Sequence, residues 1–140
     1  MTISGLPLHP LVVHAVVVLL PLMALLTVVV AARPRLRETR IWWVVGANAV
    51  MTGVTLLARE SGQSLQSSLG GRVAQQHAEI GGLLPLFAGI LFLASAAVGL
   101  TRRSKTLGTV ATVVSVLAAV AAVAWTVRTG DSGARAVWER

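Results

Sequence analysis

The sequence lacks cysteine, which rules out disulfides, thiolate metal sites and covalently attached c-type haem. Charged residues are scarce, at 12% of the 140-residue chain, and aromatic residues are scarcer still, at 4%. No lysine or arginine precedes Arg33. A secretory signal peptide needs a basic leading region and a short apolar core, so the long uncharged run at the start is expected to be a retained transmembrane helix. There is no nucleophile motif and no phosphate-binding loop. The pairs Gly70–Gly71 and Gly81–Gly82 are too short to form one. An enzyme with chemistry of its own is the class least supported.

What the chain has instead is hydrocarbon. Hydrophobic residues make up 55% of it, and the mean hydropathy is strongly positive. A soluble domain of this length could not bury so much apolar surface. The expected fold class is all-α: an integral membrane four-helix bundle, one domain over residues 1–140. Four runs approach or exceed the roughly 20 residues needed to cross a bilayer core, at about residues 10–32, 41–58, 78–100 and 106–127. Backbone groups in lipid must be satisfied internally, so these spans are helices. The net charge of +7 does not point to nucleic acid, because the basic residues cluster in short connections between apolar runs.

Those connections predict an orientation. Residues 33–40 carry Arg33, Arg35, Arg37 and Arg40 against Glu38 alone, and residues 101–105 carry Arg102, Arg103 and Lys105 with no acid. In the middle connection Arg59 and Arg72 are balanced by Glu60 and Glu79. The positive-inside rule puts the first and third connections in the cytoplasm, with the middle connection and both termini outside. Trp42 and Trp43 then mark the inner interface and Trp125 the outer one. In the middle connection Leu65, Leu69 and Val73 recur at helical spacing. That fits a short helix on the outer membrane surface or, equally, a flexible Ser/Gln/Gly linker.

Gly108, Thr112, Ser115, Ala119 and Ala122 form a stripe of small residues on the fourth span, and Gly46 and Gly53 do similar duty on the second. Small residues let helices approach closely in lipid. Asn48 is expected to join helices rather than bind a ligand. Pro21 and Pro85 lie inside spans and should kink them. A faint repeat runs through both halves: histidine, proline about two turns later, a basic connection, then a helix rich in small residues. Two parallel hairpins about an axis along the membrane normal would produce it.

Counted at roughly 1.5 Å of rise per residue from the inner end of each span, His9, His14, Glu60, His77, Arg128 and Asp131 fall at depths of roughly 27–39 Å. An outward-facing polar site is therefore expected. His9 precedes Pro10 and sits near a helix N-terminus, with His14 just over a turn inside. The partial positive charge there favours neutral imidazole, the form that ligates metals. His9, His14 and His77 are the candidate haem or metal ligands. Glu60, Glu79 and Asp131 are candidate metal ligands beside His14 and His77.

The segments "LPLHPLVVHAVVVLLP", "QQHAEIGG" and "GDSGARAVW" resemble, in that order, the domain-of-unknown-function 2231 family (DUF2231) of small bacterial membrane proteins. The resemblance covers essentially the whole chain. It implies four transmembrane helices, a bacterial plasma-membrane location, and His9, His14 and His77 as the characteristic polar positions. Relatives carry a further histidine near the outer end of the fourth helix; Asp131 stands there in this chain.

Two classes of function follow. The favoured reading is an accessory or structural subunit of a larger membrane complex, in contact with lipid and with other subunits or copies of itself. The alternative is a redox or binding module in which histidines of the first and third spans hold haem b or a divalent metal ion. Haem needs only one or two axial ligands, and helical bundles host cofactors between facing helices. A further alternative is small-solute or proton transport through the His/acid cluster.

Overall fold

A computed structural model describes residues 2–71 and 74–139. Two short strands, β1 (Thr2–Ile3) and β2 (Leu6–Pro7), pair antiparallel. Ser4 and Gly5 join them at positive φ, as a two-residue hairpin turn requires. The rest is helical: α1 (Leu8–Ala32), α2 (Pro34–Ser68), α3 (Gln75–Gly81), α4 (Leu84–Thr101) and α5 (Lys105–Trp138). Four helical stretches, with α3 and α4 counted as one, are long and apolar enough to cross a membrane.

Local chemistry sets the boundaries. Arg33 is extended, as a residue before proline prefers to be, and Pro34 opens α2 at its first turn, where its missing N–H costs nothing. Ser104 caps α5 by accepting from the Leu107 N–H at 3.3 Å. Gly70 and Gly71 stop α2 with φ of 87° and 77°, and the Gly71 N–H returns to the Gln66 carbonyl at 2.9 Å. This is the left-handed ending that glycine allows.

Three expectations are revised. α2 runs to Ser68, so Leu65 belongs to that long helix rather than to a separate surface helix or a linker, and Leu69 caps its end; Val73 lies outside the described residues. Polarity ends the apolar span after Ala58, but the buried row continues through Ser61, and the helix follows that row. α5 likewise continues beyond Val127 to Trp138. Pro85 does not kink a continuous helix. It stands in the first turn of α4, just after a break at Gly82–Leu83, where the Gly81 carbonyl would lack its donor in an unbroken helix.

α2 and α5 have 35 and 34 residues, about 50 Å at helical rise against a hydrocarbon core of about 30 Å. Short turns tie both to their partners at the arginine-rich end. Their surplus length therefore emerges at the other end, where the histidines are.

Around the bundle the order is α1, α2, α4, α5, each helix packing on the next and α5 closing on α1. The buried residues repeat. On α1 they include Val16, Leu20, Met23, Thr27, Val30 and Ala31; on α4, each 68 positions later, they include Leu84, Ala88, Leu91, Ser95, Val98 and Gly99. Val44, Asn48, Met51, Thr55 and Ala58 of α2 recur 71 positions later as Ser115, Ala119, Ala122, Thr126 and Thr129 of α5. Two helical hairpins of one design thus pack side by side. The repeat aligns His9, not His14, with His77.

Asn48 pins the halves together. Its amide nitrogen donates to Thr27 Oγ1 at 3.0 Å and to Ser95 Oγ at 3.2 Å, and these two hydroxyls are repeat equivalents. Each hydroxyl donates its own hydrogen to a carbonyl of its helix, Met23 or Phe92, at 2.7 Å. Both amide hydrogens therefore meet a lone pair. In a bilayer such bonds are worth about 0.5–2 kcal/mol. Replacing Asn48 by leucine should lower the stability measured by SDS unfolding by that amount, whereas an unchanged stability would mean the bridge contributes nothing.

Candidate functional site

At the end of the bundle away from the arginine-rich turns, two imidazoles are held in the same way. His9, in the first turn of α1, has Nδ1 3.0 Å from the Ala58 carbonyl and 3.2 Å from Ser61 Oγ, both on α2. His77, on α3, has Nδ1 3.2 Å from the Thr129 carbonyl and 3.0 Å from Ser132 Oγ, both on α5. Ala58 and Thr129 are repeat equivalents, as are Ser61 and Ser132.

The protonation follows from the partners. A carbonyl oxygen only accepts. Each serine hydroxyl gives its hydrogen to the same carbonyl, Ser61 to Ala58 at 3.0 Å and Ser132 to Thr129 at 2.8 Å. Both partners therefore require a hydrogen on Nδ1. In the neutral ring the lone pair is then on Nε2, and neither Nε2 meets a hydrogen-bonding partner among the described residues. An imidazole fixed through Nδ1–H to a carbonyl, with Nε2 free, is the arrangement in which histidine ligates metals.

Glycine makes room for each ring. A Cβ on Gly62 would lie 2.8 Å from His9 Cε1, and one on Gly133 would lie 3.0 Å from His77 Cε1. The local sequences Arg59-Glu60-Ser61-Gly62 and Gly130-Asp131-Ser132-Gly133 stand 71 positions apart, so acid, serine and glycine recur as a unit. Each histidine approaches from the preceding transmembrane segment.

Both rings line one cavity of about 310 Å³, at the lower end of the roughly 300–1,000 Å³ range of small-molecule and cofactor sites. Its walls are mainly apolar and small, among them Val13, Val16, Val17, Leu65, Leu84 and Val137, with Gly62, Gly81, Gly82 and Gly133. Trp125 braces the His77 side: its indole N–H donates to the Ile80 carbonyl at 2.8 Å, and its ring stacks on Phe87 with centroids 4.9 Å apart.

The other candidates are elsewhere. His14 is exposed, its Nδ1 bonded to the Pro10 carbonyl of its own helix, and it does not line the cavity. It stands five positions after His9, a turn of about 140° around the helix, so the two cannot share a face. Glu60 is exposed. Exposed Glu79 accepts from Gln75 at 3.3 Å, and Asp131 pairs with Arg135 at 2.9 Å. Asp131 borders a second, more polar groove behind His77, with Arg128 and Ser132. Among the described residues no three His, Asp or Glu side chains converge to hold a metal ion. The clamping serines and the glycines under the rings were not singled out from the sequence, although the recurrence of Glu-Ser-Gly as Asp-Ser-Gly was there to be read.

In ¹⁵N NMR of the micelle-embedded protein, His9 and His77 should both be protonated at Nδ1. Gly62→Ala should displace the His9 Nδ1–H signal while leaving that of His77 in place. Protonation at Nε2 instead would contradict the clamp.

The chain matches no curated protein and no solved structure. It does match one protein family, described as a predicted membrane protein, over residues 5–140. A match of that extent, over four membrane-capable helices, makes the chain a member of the DUF2231 family.

Proposed function

We propose that this membrane protein binds a b-type haem between His9 and His77 and serves as a one-electron module within a larger membrane complex. The observation that carries this reading is the repeated clamp: two imidazoles on one cavity, each with its hydrogen committed at Nδ1. The donor set fits haem better than a bare metal ion. A zinc site needs three or four protein ligands, and the carboxylates that could supply them lie outside the cavity. Haem iron takes its four equatorial ligands from the macrocycle and needs only axial ligands from the protein. With no cysteine for attachment, the group would be held by coordination and packing alone.

When bound, haem supplies one-electron chemistry. The chain's own residues do the rest. His9 and His77 would hold the iron through Nε2. Ser61, Ser132 and the two carbonyls hold the rings in register and raise their basicity as ligands. The valine and leucine walls would surround the bound group with apolar side chains, which tunes its potential. A one-electron carrier needs a donor and an acceptor, and this favours a subunit role beside other proteins of the complex. His14 has no part in the proposed ligation.

The proposal includes an orientation. Arg33, Arg35, Arg37, Arg40, Arg102, Arg103 and Lys105 gather at the end opposite the cavity, which supports a cytoplasmic location for that end. The haem pocket would then open at the outer face of a bacterial plasma membrane, with both termini on that side.

Purified with haem supplied, the protein should show a Soret band and sharp reduced bands of low-spin iron. His9→Ala or His77→Ala should abolish the low-spin pattern, and His14→Ala should retain it. A colourless protein after haem addition, or a spectrum lost only in His14→Ala, would overturn the reading. Topology is checked separately, since the chain has no cysteine of its own. An impermeant maleimide should label Ser64→Cys in intact cells and Thr39→Cys only after permeabilisation; the reverse pattern would invert the orientation.

A further inference from the structure

The cavity is nearly two-fold at its histidines but not at its rim. On α2 the rim residues are Arg59, Gln63 and Gln66, all lining the cavity. Their repeat equivalents on α5, 71 positions later, are Gly130, Ala134 and Val137. Of these three only Val137 lines the cavity, beside Thr129, Gly133 and Ala136 of α5, so the α2 wall carries a cation and two side-chain amides where the α5 wall carries neither. Apart from the two histidines, Arg59 is the one ionisable side chain among the described residues that line the cavity. It makes no hydrogen bond or ion pair with any described residue, in contrast to Arg135, which is held by Asp131 and Glu139. A guanidinium presents a planar fork of donors matched to a carboxylate.

A site with two equivalent ligands and a single polar edge calls for an occupant of the same shape. Iron tetrapyrroles of the b type have it: two equivalent axial positions, and two carboxylate side chains on one edge of an otherwise apolar disc. We propose that Arg59, assisted by the amides of Gln63 and Gln66, binds the carboxylates of the haem. This makes Arg59 a positioning residue that fixes which edge of the disc faces α2. The inference rests on the haem reading above, and it adds the residue that breaks the two-fold ambiguity of the pocket.

The test uses the full chain in detergent or nanodiscs, titrated with haemin and with haemin dimethyl ester, which keeps the iron and the disc but lacks the acids. Wild type should bind haemin roughly tenfold to a hundredfold more tightly than the ester, the range expected of hydrogen bonds to a charged group. Arg59→Leu should remove that preference by weakening haemin binding alone. Its low-spin spectrum at saturating haemin should be unchanged, which shows the axial pair intact and the fold preserved. Arg59→Lys should restore part of the preference. Arg103→Leu, which removes an equal charge at the far end of the bundle, should not alter it. Equal affinity of wild type for acid and ester, with bands that still depend on His9 and His77, would sink the role of Arg59 and leave haem binding standing. Retention of the full preference in Arg59→Leu would have the same consequence. Failure of wild type to bind either compound would remove both proposals.

Discussion

A backbone carbonyl cannot donate a hydrogen bond, and the candidate site depends on that one limitation. The carbonyls of Ala58 and Thr129 face Nδ1 of His9 and His77, and each adjacent serine has already committed its hydrogen to the same carbonyl. The ring hydrogen is thereby fixed at Nδ1. In water an imidazole exchanges tautomers and rotates freely; here both freedoms are removed before any ligand arrives. Such prior ordering is what the proposed ligation would draw on.

The fold supplies the ordering through repetition. In each half a histidine-bearing segment crosses to a basic turn, and a longer helix returns past it to present carbonyl, serine and glycine to the ring. The surplus length of α2 and α5 builds the walls of the cavity. Asn48 lies deep in the bundle and holds the halves through equivalent hydroxyls on α1 and α4. At the far end the repeat persists in a third form. Arg37 donates to the Ala31 carbonyl and Arg102 to the Gly99 carbonyl, so equivalent carbonyls near the ends of α1 and α4 are both satisfied by guanidinium. Gly99 leaves room there for the Trp42 ring, which a Cβ would approach to 3.0 Å. The two halves differ at Asn48, whose equivalent is Ala119, and again at the rim of the cavity.

Much of this was legible in the sequence, and the limits have physical causes. Hydropathy marks the four spans because a bilayer demands length and apolarity together. It does not mark the ends of α2 and α5, since a helix can leave the hydrocarbon while its buried row continues, as α2 does at Ser61 and α5 at Thr129. Charge asymmetry separated the histidine end from the arginine end. Grouping His14 with His9 and His77 counted depth and neglected azimuth; a five-residue spacing on a helix turns the second ring away from the first. Glu60 and Asp131 stand out as acids, whereas the residues that touch the rings are the next two, Ser61-Gly62 and Ser132-Gly133. A hydroxyl and an absent Cβ carry no charge or hydropathy signal, and only their recurrence 71 positions apart could have revealed them.

Low-temperature EPR of the haem-loaded ferric protein tests the central claim most directly, because the spectrum reports the axial ligands themselves. Two imidazoles on one iron should give a low-spin signal that becomes high-spin in His9→Ala and in His77→Ala alike. A high-spin signal in the intact protein, or a low-spin signal that survives the loss of either histidine, would contradict the account.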